Sequence, residues 1–182
     1  MANIFIFLTE DETIRTSYCI ATPESHELET FLLLIQEKIQ DEYLKQSYSN
    51  GICHLWGAQE NEDNFSTWNL MDEGDLVLGW NNRLIVSASH VLMKVNHPLL
   101  ATRIWNNKAE KPFALICFMN EPHTGEVPIV SQMSRYLDQD YSGFTKLSSE
   151  KRDNIINDYG SIEGFVKLCL GYDFPFSLRH SE

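Results

Sequence analysis

The chain opens with Ile4-Phe-Ile-Phe-Leu8, apolar at every position, the pattern of a strand buried on both faces. A polar stretch at 9–13 follows, and residues 14–20 read as a weaker strand, so the spacing predicts an opening hairpin. A helix is predicted over 23–44. Thr22-Pro23-Glu24 supplies a cap, a proline suited to the first turn and an acid favoured by the helix dipole. Leu28, Phe31, Leu32, Ile35 and Ile39 recur at helical spacing and make one apolar face, and Asn50-Gly51 closes the segment.

The next block is mostly β. A strand is predicted over 52–57, a polar loop over 58–66, a strand over 76–80 and a long strand over 83–95. Asn81-Asn82 is the predicted two-residue turn, since asparagine tolerates the left-handed conformation of tight hairpins. That turn would set Trp80 opposite Arg83, at a spacing that lets a guanidinium stack on an indole.

Residues 98–105 read as a short helix with proline in its first turn, 106–111 as a basic loop and 113–119 as another two-sided apolar strand. Residues 121–128 are turn-rich. Helical pieces follow at 130–138, 148–159 and 161–170, with Gly160 ending one and Ser161 capping the next. The expected class is α+β: a small curved antiparallel sheet or open barrel with helices packed on it. A length of 182 residues suits one domain, or one domain with an added layer.

Charge changes this picture in one respect. Residues 1–82 hold 15 acids and 3 bases, whereas residues 83–182 hold 11 of each, for a net charge of −12. From Arg83 to Met119 the bases are Arg83, Lys94, Arg103, Lys108 and Lys111, against the single acid Glu110. Local field rather than net charge decides whether a polyanion can dock, so this basic strip is a candidate phosphate contact in an acidic protein. Net acidity weighs against tight non-specific DNA binding. No apolar run reaches the ~20 residues of a membrane span, and the start of the chain lacks the basic flank of a signal peptide. Cys19, Cys53, Cys117 and Cys169 form no CxxC pair and read as reduced, buried thiols. A cytoplasmic location is expected.

Few motifs carry chemistry. There is no GxxxxGK[ST] or GxGxxG loop, no HExxH or Cys/His zinc spacing and no GxSxG elbow, so no cofactor, metal or nucleophile is assigned. Cys53 and His54 are adjacent, so on a strand they face opposite ways. The acids Asp72, Glu73 and Asp75 are expected to be solvated. His97, at a helix start beside the basic strip, is a candidate phosphate or base contact.

All four tryptophans, Trp56, Trp68, Trp80 and Trp105, lie within 52 residues of one another along the chain, between His54 and Trp105. Core packing is the commonest role of a tryptophan and is the expected one for Trp68. Trp56 is open to either reading, because Gly57 after it permits close approach of backbone or ligand. Trp80 at a hairpin tip and Trp105 at a helix end occupy edges where a ring can line a cleft. An aromatic box can recover the stacking of a flipped base, about 1–3 kcal/mol per aromatic partner.

His-Leu-Trp56-Gly57, Trp68-x-Leu-x-x-x-Gly74-Asp75-Leu-Val-Leu, Leu100-Ala101-x-x-Ile-Trp105, Gly143-Phe144 and Asp158-Tyr159-Gly160-Ser161 together resemble the PUA-superfamily modules of the EVE and YTH type. The likeness is strongest to the N-terminal modules of McrB-like modification-dependent restriction proteins, and it covers about residues 50 to 170. It implies a small curved barrel that flips a modified, methylated base into an aromatic cage and carries out no catalysis itself. On this resemblance Trp56, Gly57, Trp80 and Trp105 form the cage, and Arg83, Lys94, His97, Arg103, Lys108 and Lys111 contact the nucleic-acid backbone. It further implies modified DNA as partner ahead of RNA, and an AAA+ motor or nuclease as associated domain. Residues 1–49 would be a hairpin and helix added to the core, 50–172 the recognition domain and 173–182 a tail. Two other readings remain: a protein-interaction module of a larger defence or regulatory complex, docking through the helix at 23–44, and a small hydrolase using Cys53 or His54.

Overall fold

A computed structural model of the protein describes residues 2–8, 45–48, 53–105, 112–130 and 133–172, the Arg103 side chain excepted. The described strands are β1 (Ile4–Leu8), β2 (His54–Ala58), β3 (Leu76–Asn81), β4 (Leu84–Asn96), β5 (Leu115–Met119), β6 (His123–Pro128) and β7 (Phe144–Lys146). Residues 45–47 are helical, and the other α-helices among the described residues are α1 (Glu62–Asn69), α2 (Pro98–Trp105), α3 (Ser149–Tyr159) and α4 (Ile162–Phe165), the last continuing as a π-helical turn over Val166–Leu170.

The strands make one sheet in the order β2-β5-β4-β3-β1-β7, with β6 also on β4. β4, 13 residues long, is its spine. β5 and β6 run end to end along one edge of β4, from the Asn96–Leu115 pair to the Leu84–Pro128 pair. β3 occupies the other edge. Register shifts between Ile85 and Ser87 and between Val91 and Met93 bend the spine, as bulges do.

The central strands are covered on both faces, which explains why β1 and β5 read as unbroken apolar runs. Ile4, Ile6, Leu76, Leu78 and Trp80 face Ile155, Ile162, Phe165 and Leu170 of the last helices. Phe5, Phe7 and Val77 face the opposite way, into a cluster with Trp56, Trp68, Met71, Cys117 and Phe144. On the outer side of β2 and β5, Leu55, Ile116 and Phe118 pack under Leu100 and Ala101 of α2. Tyr48 closes that end, its Oη donating to the carbonyls of Met119 at 2.6 Å and His54 at 3.2 Å.

The curl of the sheet is visible in the second cluster. β2 and β7 stand at opposite ends of the strand order and do not pair. Yet the Trp56 ring on β2 lies 4.6 Å from Phe144 on β7 and 4.9 Å from Phe7 on β1. The sheet is therefore curled and open, and α1 packs on β7 beside the gap.

The α+β class and curved sheet are as expected from the sequence, and several local readings need correction. Residues 58–66 were expected as a loop, but α1 begins at Glu62. Asn61 caps it, its side chain accepting from Asn64 N at 2.8 Å, and Glu62 and Asp63 suit the helix dipole. Its polar composition hid it, because burial of Trp68 against the sheet is a tertiary gain. Residues 121–128, read as turns, contain β6, which extends the β5 edge of β4. Residues 133–137, expected to be helical, instead make tight turns, with Met133 N on Val130 O and Tyr136 N on Met133 O.

The pairing is not wholly antiparallel. β1 runs parallel to β3, from Ile4 beside Leu76 to Leu8 beside Trp80, and antiparallel to β7. A parallel pair needs a long crossover, which the chain between β1 and β3 provides. β1 thus lies inside the sheet, between β3 and β7. The predicted hairpin strand at 14–20 and the helix at 23–44 lie outside the described residues.

The β3–β4 turn falls one residue later than predicted. Asn82 and Arg83 are its central residues, both left-handed, with φ of 46° and 66°. Trp80 consequently pairs with Ile85, not Arg83. A left-handed arginine costs about 1–2 kcal/mol. Burying Ile85 beside Trp80 in the first cluster offsets it.

Candidate nucleic-acid interface

The candidate residues are distributed over all three clusters. Trp56, in the middle of β2, points into the curled sheet and is 4% exposed. Phe7 and Phe144 flank its ring. Trp80, also buried, faces the helices on the other side of β3 and meets Tyr141 edge-on at 5.3 Å. Trp105 ends α2 on the outer side of β2, edge-on to Phe113 at 5.7 Å. These three rings do not converge on one cage. Alternation along β2 and β3 sends Trp56 and Trp80 to opposite faces of the sheet, and the packing of α2 on β2 holds Trp105 on the outer side.

Gly57 allows a close approach, and the group that makes it is Trp105. A Cβ on Gly57 would collide with Cη2 of that indole and lie 2.9 Å from the Phe113 carbonyl oxygen. The glycine therefore seats α2 on β2.

Trp68, expected to be scaffold, is buried in the same cluster as Trp56. Its Nε1 is buried beside the Cys117 thiol and is not satisfied by any nitrogen or oxygen of the described residues. The Lys94 ammonium lies 4.7 Å above its ring and donates to the carbonyls of Trp68 at 3.0 Å and Asn69 at 3.2 Å. Lys94 thus neutralises the carbonyl end of α1, where a cation is favoured. Its place in the sheet is set by register: Lys94 pairs with Cys117, and Cys117 with Trp56. The three form a row across the concave face.

The rest of the basic strip is dispersed. Arg83, on the exposed turn, lies 3.8 Å from Asp140. His97 caps α2, its Nδ1 accepting from Leu100 N at 3.0 Å, which requires that nitrogen to be unprotonated. Arg103 lies on α2 with its side chain undescribed, and Lys108 and Lys111 lie outside the described residues.

The titratable groups near the site are tuned by burial. Desolvation pushes the Cys117 and Cys53 thiols up to about 12, so neither is a nucleophile at neutral pH. Desolvation also lowers the His54 pKa, against a smaller opposing pull from Glu121. Asp75, expected to be solvated, is buried and structural. Its carboxylate accepts from Asn3 N at 2.7 Å and Asp72 N at 2.8 Å, tying the start of β1 to the loop before β3. Among the described residues no group of three His, Cys, Asp or Glu is placed to hold a metal, and no helix is long and apolar enough to cross a membrane.

Phe7 and Phe144, two of the three rings at the gap, were not singled out in the sequence reading of the site. Their signal was weak, because an apolar strand does not reveal which sheet edge it will approach. At the seam between β2 and β7 the strands do not pair, and the buried rings of Phe7, Trp56 and Phe144 pack on one another there, with Lys94 fixed on the same concave face.

No protein-family model matches the chain, and no curated protein matches it. Among solved structures, it is similar to the human THYN1 protein in complex with DNA containing 5-methylcytosine. That likeness has 9% sequence identity and a TM-score of 0.44, and covers 86% of this chain and 96% of that one.

Proposed function

We propose that the protein is a DNA-binding module that recognises a modified, methylated base flipped into the aromatic interior at the seam between β2 and β7. The observation that supports this most is the Trp56 ring, set between Phe7 and Phe144 where the curled sheet remains open. Such rings recover the stacking that a flipped base loses, and an apolar wall suits a methyl group. The pattern around Trp56-Gly57 and Gly74-Asp75 that resembles EVE and YTH modules supports the same reading.

In this reading Trp56 is the central wall of the cage, and Phe7 and Phe144 take the places first given to Trp80 and Trp105. Gly57 serves indirectly, by seating α2. Of the predicted backbone contacts, Arg83 would exchange its exposed ion pair with Asp140 for a phosphate, and Arg103, Lys108 and Lys111 keep the role that the basic strip suggests. His97 and Lys94 act first as helix caps. The module performs no chemistry of its own. It supplies specificity to a cytoplasmic modification-dependent restriction system whose motor or nuclease is a separate domain or chain.

Tryptophan-fluorescence titration tests this. Oligonucleotides carrying N6-methyladenine, 5-methylcytosine or no modification are compared at two salt concentrations. One modified base should perturb the emission at concentrations where its unmodified twin does not. A flat response across the set rejects the proposal and favours the protein-interaction module.

A further inference from the structure

We propose that Lys146 is a phosphate-binding residue of this interface, holding the backbone of the nucleotide whose base enters beside Trp56. The inference rests on the base-recognition reading and adds to it a residue outside the basic strip.

The register determines where Lys146 points. On β7, Phe144 pairs with Phe7, Thr145 with Ile6 and Lys146 with Phe5. Paired residues share a face of the sheet. Phe5 and Phe7 both belong to the interior cluster, whereas Ile6 belongs to the cluster on the other side. Lys146 therefore stands on the concave face with Phe144, two residues from the ring that touches Trp56. β7 is the last strand of the sheet at that end, so Lys146 is at the rim of the seam.

The state of the side chain supports a ligand role. Lys146 is half-buried and makes no hydrogen bond or ion pair among the described residues. Its neighbours in charge are engaged: Arg83 with Asp140, Arg135 with Asp158, Lys151 with Asp138 and Arg152 with Asp153. Lys94 is held on two carbonyls. Among the described residues Lys146 is thus a half-buried cation whose ammonium has no anionic partner. A packed hydrocarbon stem with its ammonium at the rim is the simpler use of such a lysine. Its position beside the aromatic gap gives that ammonium a second one, because a flipped nucleotide carries its phosphate at the mouth of the pocket that takes its base.

The test is a salt titration of Lys146→Gln and Lys146→Arg against a methylated oligonucleotide duplex and its unmodified twin, with thermal melting to confirm folding. Lys146→Gln should weaken binding to both duplexes by the same factor. It should also reduce the slope of log K against log salt by about 0.9, the value of one phosphate contact on duplex DNA. Preference for the methylated base should persist, and Lys146→Arg should restore the slope. Lys167→Gln, on the turn packed against the opposite face of the sheet, should leave the slope unchanged. A folded Lys146→Gln protein with the wild-type slope overturns the assignment of Lys146 alone. A wild type that binds neither duplex overturns this inference and the base-recognition reading together.

Discussion

Trp56 on β2 and Phe144 on β7 lie ring to ring at 4.6 Å across the open seam of the sheet, although their strands are the two ends of the strand order. This contact makes Trp56 part of the core as well as the proposed base wall. Trp56→Ala should destabilise the fold by about 3–5 kcal/mol, as removal of a buried aromatic does. Trp56→Leu keeps more of the volume and is the better binding probe. It should fold and lose its preference for a methylated base while retaining weak binding. Urea denaturation and oligonucleotide titration, in parallel, separate the two effects.

Gly57 and Trp105 form a matched pair across the outer face of β2. Gly57→Ala drives a methyl group into the indole and towards the Phe113 carbonyl. The expected loss is about 1–3 kcal/mol, the usual cost of overpacking. Trp105→Leu in the same chain should return part of that loss. Additive losses in a double-mutant cycle by urea denaturation would rule out this contact as the cause.

Lys94 joins β4 to the end of α1. Lys94→Met keeps much of the stem but removes the charge above Trp68 and the donors to two carbonyls. A loss of about 1–2 kcal/mol is expected, since hydrogen bonds from a charged group exceed neutral ones and partial exposure lessens the gain. Hydrogen exchange in residues 62–69 should accelerate before exchange in β3 and β4. Uniform acceleration across the sheet would contradict so local a role.

Stability should decline on mild acidification. Desolvation lowers the pKa of His90 in the folded state, opposed by its hydrogen bond to the Gly74 carbonyl and by nearby acids, and desolvation lowers that of His54 as well. Between the depressed folded value and about 6.5, the unfolded chain binds more protons. The stabilisation is thus complete above about pH 6.5 and is lost as pH falls through the folded pKa. Thermal melting from pH 8 to pH 5 should show the fall, and His90→Gln should flatten it. An identical pH profile in that variant would exclude His90 as a source.

Cys53 and Cys117 should be silent to thiol reagents in the folded protein. Both are buried, with pKa values raised to about 12. Reaction of either with a disulfide reagent at pH 8 should follow unfolding, as judged by mass spectrometry of labelled peptides with and without denaturant. Rapid native labelling of Cys117 would contradict its full burial in the cluster around Trp56.

What was legible in the sequence follows from local periodicity. Two-sided apolar runs identified β1 and β5, and the strands expected over 76–80 and 83–95 are β3 and the spine. The capping residues Ser161 and Gly160 were readable because their interactions span a few residues: Ser161 Oγ accepts from Gly164 N, and Gly160 is left-handed at the end of α3. α1 and β6 were not readable. α1 is polar apart from Phe65 and its buried tryptophan, and β6 has an exposed pattern, so each depends on a partner distant in sequence.

The candidate site divides in the same way. The sequence by itself determined that four tryptophans share the middle of an acidic chain, that Gly57 follows one of them, and that an α+β fold with a curved sheet would hold them. Tertiary structure decided which rings meet. A one-residue shift in the β3–β4 turn separated Trp80 from Arg83, strand alternation sent Trp56 and Trp80 to opposite faces, and α2 carried Trp105 to the outer side of β2. The curl of the sheet then brought Phe7 and Phe144 to Trp56. Local spacing fixes the direction of a side chain relative to its own strand. Only the packing of distant strands decides what that side chain faces.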